Sequence, residues 1–194
     1  MANTRIAIFA SGNGSNALNL IRFFEGHNSI QVAFVLSNNS DAPVLSRAKE
    51  LDVTVIQLKN NEVANGTTLL ELCKNKNIDW IILAGYLRLI PLSLLCAYNN
   101  KIINLHPSLL PKYGGKGMYG RKVHMAVLQN GETQSGITVH FVNEEYDEGK
   151  IIAQLHCEVA SGETIEVLEN KISQLEQLYF PFIVQNTILT QTNE

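Results

Sequence analysis

Apolar residues in this chain come in short continuous blocks, divided by polar breaks that usually contain glycine, asparagine or proline. Arg5 to Ala10, Gln31 to Leu36, Val53 to Leu58, Asp79 to Ala84 and Lys101 to Leu105 are such blocks. Each is too short for a buried helix and fits a strand covered on both faces, as in a parallel sheet. Between them the apolar spacing turns helical. Ala17, Leu18, Ile21 and Phe24 share one helix face, and Pro43 to Leu51 opens on proline, a favourable first helical position. Asn60 to Asn77 predicts one helix with a loose start, and Pro91 to Tyr98 a short one. Strand and helix in alternation imply an α/β fold with a doubly wound, mostly parallel, Rossmann-like sheet.

The pattern changes after residue 106. Pro107 to Gly120 is a long connection with four glycines, which predicts a segment able to move over a site; a solvated connection is the plainer reading. Arg121 to Asn130 predicts a helix stopped at Asn130-Gly131. Gly136 to Val142 and Lys150 to Val159 then form two strands joined by an acidic turn, which brings the expected sheet to about seven strands with an antiparallel C-terminal part. A last helix runs from Thr164 to about Leu189, with an interruption expected near Pro181. No repeat or low-complexity linker divides the chain, so residues 1–194 read as a single domain.

Composition narrows the class. Hydrophobic residues make up 45 % and charged residues 17 % of the chain, as in globular proteins, and a net charge of −3 gives no reason to expect a nucleic-acid surface. Cys73, Cys96 and Cys157 are odd in number and far apart, which points to reduced thiols with neither disulfide frame nor zinc spacing. The start at Met1-Ala2-Asn3-Thr4-Arg5 predicts no signal peptide, and no apolar run approaches the ~20 residues of a membrane span. The expectation is a cytoplasmic protein that binds small molecules, without membrane, nucleic acid or metal.

Candidate chemistry gathers where strands end, because open α/β sheets bind ligands beyond the carboxyl ends of their strands. Ser11-Gly12-Asn13-Gly14-Ser15-Asn16 lies between the first strand and first helix and aims backbone N–H groups at an anion. A single phosphate is the favoured reading; a dinucleotide and a merely tight turn stay open. The dinucleotide reading is weakened by the second strand, which ends in Ser37-Asn38-Asn39-Ser40 before any acid. Asn104 and His106 are alternate residues of one strand, so both project to one face, and Pro107 restricts the backbone of His106. With Asp147 they supply an amide, an imidazole and a carboxylate, enough to stabilise an oxyanion and move a proton. Taken singly, His106 reads as a loop histidine, Asp147 as a solvated acid, and His140 as a core histidine or a support for the site. His27, His124 and His156 lack the spacing of metal ligands.

Five motifs together resemble a known family. They are Ser11 to Asn16, Leu83-Ala84-Gly85-Tyr86-Leu87-Arg88, Asn104-Leu105-His106-Pro107-Ser108-Leu109-Leu110-Pro111, Gly136 to Val142, and Asp147-Glu148-Gly149. Across nearly the whole chain they resemble the phosphoribosylglycinamide formyltransferases, folate-dependent enzymes of purine synthesis with the formyltransferase fold. The resemblance implies 10-formyltetrahydrofolate as co-substrate, glycinamide ribonucleotide as acceptor, and a monomer or homodimer. It implies Asn104, His106 and Asp147 as the catalytic set, and Gly14, Ser15, Asn16 and Glu176 as ribonucleotide contacts. It implies Leu87, Arg88, Leu89, Ile90, Asn104, Asn143 and Tyr146 on the folate side. The chain departs from the family at Gln177, where a histidine is usual, in the absence of a matching arginine among Asn60 to Thr68, and in a longer Gly114–Arg121 segment. Formyltetrahydrofolate deformylase, which would bring an N-terminal regulatory domain, and a non-catalytic nucleotide-binding module are the lesser expectations.

Overall fold

The structure, a computed structural model, describes residues 3–192. Its elements in chain order are β1 Thr4–Phe9, α1 Ser15–Phe23, β2 Ile30–Ser37, α2 Pro43–Lys49, β3 Val55–Gln57, α3 Asn60–Ala64, α4 Gly66–Asn75, β4 Trp80–Leu83, α5 Leu92–Ala97, β5 Ile102–His106, α6 Arg121–Gln129, β6 Gln134–Phe141, β7 Ile151–Glu158 and α7 Ile165–Thr192. The strands form one seven-stranded sheet in the order β3-β2-β1-β4-β5-β6-β7. β1 pairs in parallel with β2 and β4, β2 with β3, and β4 with β5, whereas β6 and β7 are antiparallel. This is the mostly parallel, doubly wound sheet with an antiparallel end that the apolar blocks predict. The chain divides into two compact units, Met1–Asn104 and Leu105–Glu194.

In the first unit β1 is the central strand, and Ile6, Ala7, Ile8 and Phe9 are fully buried on both of its faces. Burying a side chain of this size contributes roughly 1.5–3 kcal/mol. Phe9 also meets Tyr86 edge-on at 5.4 Å between ring centres, which ties the end of β1 to the segment after β4. α1 covers the sheet with Ala17, Leu18, Leu20 and Ile21. The single helix expected over Asn60 to Asn77 is two helices. Asn65 adopts an extended conformation (φ −77°, ψ 94°) and its side chain accepts from Thr67 N–H at 3.1 Å, so it stops α3 and caps α4. The Asn-Gly pair at 65–66 is the local reason, since asparagine competes for backbone bonds and glycine weakens a helix interior.

In the second unit α7 packs on β6, β7 and α6. It passes through Pro181 without the expected interruption. Phe180, Val184 and Ile188 are fully buried along its inner face, and burial of that stripe outweighs the backbone bond that proline removes. Among the described residues no helix is long and apolar enough to cross a membrane. Met1 and Ala2, part of the start on which the signal-peptide expectation rests, lie outside the described residues.

Candidate active site

In the first unit the loop after β1 is built from main chain. Gly14 has φ +73° and stands just before α1, with no side chain capping the helix; Ser15 and Asn16 are its first two residues. A Cβ on Gly14 would lie 2.1 Å from Val44 Cγ2. The glycine is therefore demanded by left-handed backbone and by the fully buried Val44 of α2. Arg47 of α2 donates to the Asn13 carbonyl at 2.9 Å and braces the same turn. Ser11 joins three strand ends. Its N–H donates to Gly85 O at 3.0 Å, its hydroxyl donates to Asn38 Oδ1 at 2.6 Å, and the same oxygen accepts from Leu87 N–H at 3.0 Å. Sequence reading placed Ser11 in a loop facing an anion and gave its side chain no part in joining strand ends.

The Leu87–Ile90 segment of this unit is mixed. Leu87, Arg88 and Leu89 are exposed and Ile90 is buried in the core. Asn104, half-buried, ends the unit and lies within β5.

In the second unit the titratable groups converge. β5 extends one residue further than the sequence suggests and includes His106, which Pro107 then terminates. His106 is 4 % exposed. Its Nδ1 lies 3.3 Å from Asp147 Oδ2, and its Nε2 lies 2.8 Å from the Tyr113 carbonyl. A carbonyl oxygen can only accept, so Nε2 carries its proton toward Tyr113. His140, on β6, repeats the arrangement: Nδ1 is 2.8 Å from its neighbour's carbonyl, Phe141 O, and Nε2 is 3.6 Å from Asp147 Oδ1. Two imidazoles thus flank one carboxylate, and Gly115 N–H donates to Asp147 Oδ2 at 2.9 Å.

Asp147 has φ +60°, a left-handed conformation that aspartate tolerates better than most residues. Burial pushes its carboxyl up, but the bond with His140, the His106 imidazole and the Gly115 amide together hold it below the usual carboxylate range. Burial pushes the His106 imidazolium down, and the opposing pull of Asp147 and the Tyr113 carbonyl does not cancel it. Asp147 by itself favours the charged ring, and burial outweighs it. The result is an ionised Asp147 beside a His106 that gives up its second proton readily.

Two glycines shape this corner. A Cβ on Gly149 would lie 1.6 Å from Phe141 O, and one on Gly114 would meet Leu110 Cδ2 at 2.6 Å and Asp147 Cβ at 3.2 Å. A cavity of about 390 Å³ opens beside Asp147, lined by Leu110, Pro111, Gly114, Gly115 and Tyr146 among others. That is the size of a small-molecule site. Asn143 is exposed and accepts from Glu145 N–H at 3.2 Å, and Glu176 is half-buried on α7. Among the described residues no group of three or more His, Cys, Asp and Glu side chains is arranged to hold a metal ion. Sequence reading found the acid and both imidazoles. It missed the Tyr113 carbonyl and Gly115 amide, because main-chain groups leave no signature beyond the neighbouring glycines.

A buried imidazole and carboxylate at a strand end can hold a developing oxyanion and exchange a proton with an attacking nucleophile. Residues 4–184 match the formyl transferase family, and the chain belongs to it. Its relatives include the chloroplastic phosphoribosylglycinamide formyltransferase of Arabidopsis thaliana, 37 % identical over 93 % of this chain and 64 % of that protein. The phosphoribosylglycinamide formyltransferase of Bacillus subtilis (strain 168) is 34 % identical over 95 % of this chain and 94 % of the relative. The crystal structure of phosphoribosylglycinamide formyltransferase from Bacillus halodurans superposes with a TM-score of 0.86 at 32 % identity, covering 98 % of this chain and 97 % of that one. The chain thus spans under two thirds of the plant relative and nearly all of the bacterial ones.

Proposed function

We propose that this chain is an enzyme that transfers the formyl group of 10-formyltetrahydrofolate to the amine of glycinamide ribonucleotide, giving N-formylglycinamide ribonucleotide and tetrahydrofolate in purine synthesis. The observation that carries the reading is the placement of His106 Nδ1 3.3 Å from Asp147, both largely buried, in a chain of this family. The new bond joins the substrate amine to the formyl carbon, and the bond from that carbon to the folate nitrogen breaks. Asn104 and His106 hold the formyl oxygen as it gains charge. Asp147 receives, through His106 or water, the proton that the amine sheds, and the leaving nitrogen takes one up.

In this reading Gly14, Ser15 and Asn16 bind the ribose phosphate through main-chain N–H groups at the start of α1, and Glu176 contacts the ribonucleotide. Leu87, Arg88, Leu89, Ile90, Asn104, Asn143 and Tyr146 serve the folate. Exposure of Leu87 and Leu89, at 46 % and 48 %, suits groups that receive a flat apolar ring; burial of Ile90 gives it a supporting part. We take residues 1–194 as a single formyl transferase domain, in accord with a family match that runs through both units. The reading includes a cytoplasmic protein, monomer or homodimer, that needs no metal. The test is release of tetrahydrofolate with and without glycinamide ribonucleotide. Release that depends on the acceptor supports transfer, and equal release without it makes the protein a deformylase.

A further inference from the structure

Tyr113 holds a conformation that its residue type resists. Its φ is +58°, and a bulky aromatic residue at positive φ is a conformational outlier that the surroundings must enforce. That backbone turns the Tyr113 carbonyl onto His106 Nε2 at 2.8 Å. On the N-terminal side the chain is fixed by buried hydroxyls: Ser108 Oγ donates to Lys112 O at 2.6 Å and Thr138 Oγ1 donates to Ser108 O at 2.6 Å. On the side-chain side it is held by Glu132, which follows α6. Tyr113 OH donates to Glu132 Oε1 at 2.9 Å, and Lys112 Nζ donates to Oε1 and Oε2 at 2.9 and 3.1 Å.

We propose that Glu132 is a positioning residue for His106: by gripping the phenol of Tyr113 it fixes the left-handed main chain whose carbonyl orients the imidazole. An exposed Lys–Glu pair alone contributes little to stability. Here the same carboxylate also takes the phenol of a backbone outlier that touches the imidazole directly. The arrangement works as a lever. Glu132 holds the phenol, the phenol holds the Tyr113 backbone in its left-handed form, and that backbone sets which way the carbonyl points. With Nε2 held there, Nδ1 is left facing Asp147, so the ring and its tautomer are both decided from the far end of the loop.

The inference rests on the reading of His106 as a reacting group, and its test is made separable from that reading. The measurement is the nitrogen NMR spectrum of the His106 imidazole in the full chain without ligands, recorded across pH for wild type, Glu132→Ala, Glu132→Gln, Tyr113→Phe and Lys112→Ala. The groups facing the ring besides Tyr113 are Asp147, His140 and His124, and all stay intact in these variants. In Glu132→Ala and Tyr113→Phe the Nε2 signal should lose its single protonated character, and the ring should titrate at lower pH than in wild type, because the carbonyl that favours the protonated ring is no longer held in place. Glu132→Gln keeps an acceptor for the phenol and should fall between. Lys112→Ala should leave the signals in place.

Turnover in Glu132→Ala and Tyr113→Phe should drop about tenfold, short of the ~10²-fold cost of a fully misplaced group, with the Michaelis constant for the ribonucleotide unchanged. Unchanged His106 signals in both variants overturn the proposal, as does a changed signal with full turnover, or a Lys112→Ala variant that matches Glu132→Ala. If wild type shows no transfer, or His106→Ala keeps full turnover, the proposed function fails instead. Tyr113→Phe and Glu132→Gln keep the test decisive should Glu132→Ala not fold.

Discussion

The Ser11–Asn16 loop and the Asp147 corner are both small, glycine-bordered and set at strand ends, yet they are made of different material. The first presents main chain. Its shape comes from a left-handed Gly14 wedged on Val44 and from Arg47 and Ser11 bracing it, and its candidate chemistry is a row of N–H groups. The second presents side chains that titrate, two imidazoles on one carboxylate, with main-chain groups of Tyr113 and Gly115 holding them. A backbone site tolerates changes of side chain and fails when its fold fails. A side-chain site fails chemically while the fold stands. Substitutions can tell the two apart.

The largest separation should come from Asp147→Asn, which removes the charge and keeps the shape. Removing one oxyanion-stabilising donor costs roughly 2.7–4 kcal/mol, and disabling His106 through its partner should approach that, so turnover should fall about 10²–10³-fold. Ribonucleotide dissociation constants should stay near wild type. His106→Ala should cost a similar factor and the double variant little more, since the pair acts as one unit. Losses that multiply, read by single-turnover kinetics, would separate the two residues.

Gly14→Val is the counterpart in the other region, and its expected effect is on folding. Positive φ and a Cβ 2.1 Å from Val44 should together cost about 2–4 kcal/mol, read as a lower unfolding midpoint. A variant of full stability that has lost only ribonucleotide affinity would show that the fold does not need Gly14 and that only the ligand does. Ser15→Ala is the milder probe. Ser15 is exposed at the start of α1 and meets the phosphate through its main-chain N–H, so stability should hold and the Michaelis constant for the ribonucleotide should stay within about threefold of wild type; a larger rise would put the hydroxyl itself on the phosphate.

The smallest effect is on pH. Burial lowers both His106 and His124 from the ordinary imidazole value of 6.5. Their folded forms resist a proton that the unfolded chain accepts, so their stabilisation is complete above pH 6.5 and is lost as pH falls through the folded values. The loss is bounded at ~1.4 kcal/mol per pH unit for each group. Thermal midpoints should therefore drop from pH 7.5 to 5.5, and His124→Gln should show the shallower drop. Equal slopes in the two proteins would remove His124 from the account.

The two regions also differ in how plainly the sequence announces them. Alternating apolar blocks were enough for the parallel sheet, and the spacing of Asn104 and His106 was enough to place them on one face of β5. Pro181 and Asn65 were misread for opposite reasons. Burial of Phe180 and Val184 carries α7 through a residue that local preference would reject, whereas nothing beyond the Asn-Gly pair marked the break between α3 and α4. Asp147 was legible as a candidate because carboxylates are nameable. The carbonyl of Tyr113 was not, since every residue has one and its backbone conformation decides where it points.

Ser11 has a practical consequence for anyone recombining this family. One hydroxyl serves the main chain of Leu87 and the side chain of Asn38, so the loops after β1, β2 and β4 form a single mechanical part. A chimera that imports the Leu87–Ile90 segment from a relative, to alter what it accepts, inherits a seat cut for another partner unless positions 11 and 38 travel with it. The unit of exchange is the three loops together, although they lie far apart in the chain.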